Sequence, residues 1–121
     1  MTEKNKATDS PLDSATIAKL HQALGENINI VLSHFIDYAP TQIDALSTAV
    51  AEADMEFLAR KSHQMKGECY QIGALYLADL CREMENYISN NNQRTSQEDC
   101  LARISVEMDS VLNALSAEML E

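Results

Sequence analysis

The sequence predicts an all-α protein, an antiparallel four-helix bundle with an additional short N-terminal helix. Three observations lead there. Apolar residues recur at steps of three and four along most of the chain, which is the spacing of one helical face. Glycine and proline are scarce, three and two in 121 residues, so the turn punctuation that strands need is missing. The last apolar stripe, Leu101, Ile104, Met108, Val111, Leu115 and Met119, has the near-heptad spacing of helices packed side by side.

Residues 1–10 are polar and charged and are expected to form a disordered lead-in to a single domain over residues 11–121. Pro11-Leu12-Asp13-Ser14 reads as a helix start, with Asp13 or Ser14 as the cap. The first helix then runs to about Leu24 on the stripe Ile17, Leu20 and Leu24, and Gly25 ends it. A second helix is expected from about Glu26, carrying Ile28, Val31, Leu32, Phe35 and Ala39. Pro40 has no N–H to give and crowds the preceding turn, so the pattern that resumes at Ile43, Leu46 and Val50 is either one long kinked helix or two stacked pieces. Asp54 can cap a third helix reaching about Ile72, and Gly73 breaks the chain. The fourth helix is expected over about Ala74 to Ser89, with Leu77, Leu80, Cys81, Met84 and Ile88 facing inward. Residues 90–94 read as a polar loop, and Thr95-Ser96-Gln97-Glu98 resembles a capping box opening the last helix.

Composition excludes several classes of function. Nine Lys and Arg against nineteen Asp and Glu give a net charge of −10, which repels nucleic acid and anionic membrane surfaces. There is no apolar signal segment at the N-terminus and no run of membrane-spanning length, so a cytoplasmic location is expected. The three cysteines, Cys69, Cys81 and Cys100, form no Cys-x-x-Cys, and neither a disulfide framework nor a metal site is indicated. Cys69 and Cys81 read as buried thiols, His21 as a surface or boundary residue and His34 as a partly packed one. No Gly-rich phosphate loop or nucleophile elbow occurs, and nothing in the chain is suited to bind ATP.

One stretch stands apart. Met55, Leu58, Ser62, Met65, Cys69 and Ile72 make the core stripe of the third helix. At about 100° per residue His63 lies roughly 130° from the middle of that stripe, facing solvent. Glu56, Ala59, Arg60, Gly67 and Tyr70 share its side, with Lys66 at the border. Arg60, Lys61 and Lys66 form a local basic patch in an acidic chain, able to draw an anionic group. Lys66 is three residues from His63, so both side chains can reach one site. A neutral imidazole is a good nucleophile near pH 7, and an ammonium beside it can offset the charge of an attached phosphoryl group. Gly67 sits mid-helix at a cost of about 1 kcal/mol relative to alanine, and it opens space beside the imidazole.

The run His63-Gln64-Met65-Lys66-Gly67, then Ile72-Gly73-Ala74, then Leu77-Ala78-Asp79-Leu80-Cys81-Arg82-Glu83-Met84-Glu85, resembles the histidine phosphotransfer (HPt) domain family. Leu12-Asp13, Leu24-Gly25, Phe35 and Ala53-Asp54 fall in register, so the resemblance covers about residues 12 to 90. It implies a phosphorelay carrier with no kinase activity and no cofactor of its own. A phosphoryl group would arrive from an aspartyl phosphate on a response-regulator receiver domain. His63 would attack through its distal nitrogen Nε2 and hand the group to a second receiver. Lys66 would offset charge on the transferring group. Gly67, Ala59, Arg60, Glu56 and Tyr70 would form the receiver docking face, and Mg²⁺ would belong to the receiver. The partners implied are receivers and an upstream sensor or hybrid kinase, contacted by a monomer. Glu68, Cys69 and Tyr70 depart from the small residues that usually follow the family's glycine. Two other readings stay open at this point: a helical module that docks a signalling protein without chemistry, and a structural bundle that oligomerises through its last helix.

Overall fold

The computed structural model describes residues 10–89 and 94–120. The expected lead-in falls, apart from Ser10, outside the described residues, as do Asn90 to Gln93 of the expected polar loop. The described residues form five α-helices: α1 (Ser14–Leu24), α2 (Ile28–Glu52), α3 (Met55–Gln71), α4 (Leu75–Ser89) and α5 (Arg94–Glu118). Helices α2 to α5 make an antiparallel bundle in which each neighbour in sequence is a neighbour in space, and α5 closes the ring on α2. The shared interior holds Leu32, Leu46, Leu58, Met65, Leu77, Leu80, Met84, Ile104 and Leu115, all buried. These are the stripe residues the helical spacing selects. Among the described residues no helix is long and apolar enough to cross a membrane.

Asp13 is the cap of α1, its Oδ2 accepting from the Thr16 backbone N–H at 3.0 Å and from the Thr16 hydroxyl at 2.7 Å. At the other end of α1, the Gly25 N–H donates to the His21 carbonyl, and a single 3-10 turn over Gly25–Asn27 delays α2 to Ile28. Pro40 does not divide α2, which is one helix of 25 residues. Asp54 caps α3 through the Phe57 N–H. Gly73 carries the α3–α4 turn at φ +82°, a region L side chains rarely adopt, and a Cβ there would come 3.0 Å from Thr16 Cβ. The Asp13 N–H donates to the Gly73 carbonyl at 2.7 Å, tying the start of α1 onto this turn.

Two expectations need correction. The last helix begins at Arg94, so Arg94 is not in a loop and the expected helix start at Thr95 falls inside the helix. A hydroxyl residue acts as a cap only where its own backbone is non-helical, and Thr95 is already helical. His34 is exposed and not partly packed, its ring stacking on Tyr38 with centroids 5.9 Å apart. All three cysteines are buried and free. Contact with Cys69 and burial raise the Cys81 thiol, and burial pushes Cys100 up to about 12, so both stay protonated.

Candidate functional site

Helix α3 presents His63 to solvent because its opposite face, Leu58, Ser62, Met65 and Cys69, is buried in the bundle. The His63 side chain is 71% exposed. One carboxylate organises its surroundings. Glu85, on α4, places Oε2 at 2.9 Å from His63 Nδ1 and Oε1 at 2.8 Å from Lys66 Nζ. Burial alone would raise the Glu85 carboxyl, but hydrogen bonds from Lys66 and His63, and their charge, outweigh it and hold it below the usual range. Glu85 is therefore ionised and can only accept. It follows that His63 Nδ1 donates, and in the neutral ring Nε2 keeps its lone pair and points away from Glu85.

The remaining residues singled out by the sequence are distributed around this trio. Gly67 lies one turn beyond His63, and a Cβ added to it would meet no heavy atom within 4 Å. Glu56 and Arg60 are exposed and Ala59 is half-buried. The Arg60 guanidinium stands 5.6 Å from the centroid of the Phe57 ring. Tyr70 is exposed, and its hydroxyl donates to Asp79 Oδ1 at 3.3 Å. Lys61 does not join His63. It turns toward α2, donating to Gln42 and Gln64 at 3.3 Å and standing over the Tyr38 ring. Glu68 also faces α2, accepting from Gln42 there and from Gln64 one turn back on α3.

Glu85 is the site residue that helical periodicity misses, because its contact crosses between helices. A signal for it does exist in the sequence. His63 lies ten residues before Gly73 and Glu85 twelve after it, so an antiparallel hairpin folded at Gly73 brings the two level. Among the described residues no group of three or more His, Cys, Asp or Glu side chains could hold a metal ion.

The site is an exposed imidazole on a bundle helix, held by one nitrogen with an ammonium on the same carboxylate. A family model described as the Hpt domain matches residues 30–118. The chain belongs to the Hpt-domain family. Its function is accordingly to relay phosphoryl groups on histidine in two-component signalling, with receiver domains and sensor kinases as its class of partner. Members of this family are phosphocarriers that have no kinase or ATP-binding activity of their own and need no bound cofactor. Among solved structures, histidine-containing phosphotransfer protein B from Pseudomonas aeruginosa matches with a TM-score of 0.82 and 23% identity, over 88% of this chain and 92% of that one. At that identity the likeness speaks for the fold. No curated protein sequence matches the chain.

Proposed function

We propose that His63 is the phosphoacceptor and that it exchanges the phosphoryl group with receiver aspartates through Nε2. The observation that carries this reading is the hydrogen bond from Nδ1 to Glu85, which fixes the ring and leaves Nε2 outward. In the forward step the Nε2 lone pair attacks phosphorus in line with the acyl phosphate bond of the receiver. The N–P bond forms as the P–O bond to the aspartyl carboxylate breaks, and that oxygen keeps the electron pair. The proton stays on Nδ1, so positive charge develops on the ring, where Glu85 offsets it. Lys66, on the other oxygen of the same carboxylate, is placed to meet negative charge on the transferring group. Neither residue forms a bond, so both act by electrostatics and by holding the ring in place. Transfer to the acceptor is the same step reversed.

Glu56, Ala59, Arg60, Gly67 and Tyr70 then surround the reacting nitrogen as the docking face. The contact is transient, because donor and acceptor must both leave. The test is incubation with a phosphorylated receiver domain, followed by acid and base treatment of the labelled protein. The expected label is lost in acid, survives base and is absent from His63→Gln, whose melting curve should match the parent's. An acid-labile label retained by that variant would overturn the assignment.

A further inference from the structure

Beside the reacting nitrogen, the α3–α4 edge carries three side chains that the phosphoryl chemistry leaves unused. Tyr70 is 41% exposed, and its hydroxyl is pinned to Asp79 Oδ1. Arg82 reaches the same oxygen through Nη2 at 3.2 Å, with 56% of its side chain exposed. Asp79 therefore orients both neighbours. The phenol is anchored at its tip with its ring open to solvent. The guanidinium has five N–H donors in a planar fork, and the contact with Asp79 leaves much of it facing water. Leu75, 39% exposed, follows the α3–α4 turn and lies one turn before Asp79 on α4.

We propose that Tyr70, Asp79 and Arg82 form a partner-selecting patch. It takes from the receiver docked on His63 an acidic side chain against Arg82 and an apolar one against the Tyr70 ring and Leu75. The inference rests on the assignment of His63 as phosphoacceptor.

Geometry puts the patch inside the interface. A transient interface covers about 600 Å² on each partner, a disc of roughly 14 Å radius. Tyr70 is seven residues along α3 from His63, about 10.5 Å at the helical rise. A receiver whose contact is centred on His63 therefore meets Tyr70. Arg82 is one turn before Glu85 on α4, within the same disc. Charge then selects the partner's chemistry. The chain carries −10 overall; Lys66 is paired with Glu85 and mostly covered, whereas Arg82, though paired with Asp79, keeps more than half of its side chain exposed. An acidic partner side chain is repelled by most of the surface and finds in Arg82 an exposed fork that can take a carboxylate on two donors. The hydroxyl bond of Tyr70 fixes a large flat ring at low entropic cost, the property of an interface anchor.

The experiment measures transfer from a panel of the host's receiver domains, each charged with acetyl phosphate, to the full chain and to Tyr70→Ala, Asp79→Asn and Arg82→Glu. Each rate is divided by the rate at which phosphoramidate, a small donor that docks nowhere, labels the same variant. Melting curves establish that each variant is folded. The expected result is a selective loss. The receiver fastest with the parent chain should slow by about 10-fold or more in Arg82→Glu, and added salt should restore part of that loss, because the reversed charge now repels the partner's carboxylate. Slow receivers should change by less than about 3-fold, so that the preference order compresses. Tyr70→Ala should compress the order without changing the salt dependence. Equal changes for all receivers, or none, would overturn the patch while leaving the role of His63 intact. Absence of a histidine label on the parent chain from every receiver and from phosphoramidate would overturn the assignment of His63, and the patch with it.

Discussion

Replacing Gly67 with alanine should raise the stability of the protein and slow its transfer reaction. Beyond its own helix backbone, a Cβ at this position meets no heavy atom within 4 Å among the described residues, so no packing contact there requires glycine. Gly67 lies mid-helix in α3, where alanine is favoured by about 1 kcal/mol. For a chain of this length that is a rise of about 3–5 °C in melting temperature. The methyl group would stand one turn from His63, with the two Cβ atoms about 5–6 Å apart. In-line attack needs the receiver's phosphorus within about 3–3.5 Å of Nε2, and a displacement of about 1 Å can cost 10²-fold. A methyl group occupies more than that, although the partner can tilt, so a fall of about 10- to 100-fold in the rate of transfer from a receiver is expected. Circular dichroism melts and rapid-quench phosphotransfer measure the two effects on one preparation. A lower melting temperature would show that Gly67 has an internal role. Transfer as fast as the parent's would show that no partner approaches over it, and the docking face would have to be redrawn.

Two further predictions concern residues in contact with the site. Glu85→Ala removes the acceptor for His63 Nδ1 and should slow phosphorylation by about 10-fold, the worth of one charge-assisted hydrogen bond. Glu85→Gln, which can still accept from Nδ1, should recover most of that loss, and equal rates for the two variants would deny Glu85 a positioning role. Its carboxyl is held below the ordinary value of 4.5, so its contribution to stability is present above that pH and is lost as pH falls through the lower, folded-state value. The stability difference between the parent chain and Glu85→Gln should therefore narrow on acidification below 4.5, and a gap that widened there in urea titrations would reverse the sign of the argument. Ser62 is buried in the core stripe, and its hydroxyl has no hydrogen-bond partner among the described residues. Ser62→Ala should therefore be neutral or stabilise by up to about 1 kcal/mol, and a loss of more than that would show an acceptor for the hydroxyl.

The helices and their faces were legible because burial follows periodicity. Every inward position predicted for the last helix, from Leu101 to Met119, lies in or against the core. The starts and stops depend on chemistry that is only partly local. Asp13 and Asp54 cap as their sequence context indicates, while Thr95 carries the same signature inside a helix. A side chain that can cap does so only where the backbone has already turned. Pro40 shows the same limit from the other side. It forbids one hydrogen bond, but it is exposed, and the apolar contacts on both sides of it keep α2 a single helix. At the site, the exposure of His63 followed from one helix alone. Glu85, Asp79 and Arg82 did not, because their contacts depend on how α4 is registered against α3. Gly73 sets that register by folding the hairpin, and the close approach of Thr16 to it shows how little freedom the turn has.

The shared carboxylate also bears on how a carrier can run in both directions. A lone ammonium beside His63 would favour the phosphorylated state, because the new charge would have an unmatched partner waiting. Lys66 is not in that position. It is already matched by Glu85 at 2.8 Å, and any attraction it gives the phosphoryl group competes with that pair. Positive charge arising on the ring strengthens the second Glu85 contact at the same time, so the carboxylate moves its stabilisation from Lys66 toward the imidazole as the N–P bond forms. On the proposed assignment, the Lys66–Glu85 pair given up offsets part of what the two new contacts supply. The phosphorylated state is then favoured less than a lone ammonium would favour it. Small differences between donor and acceptor receivers can then decide which way the group travels.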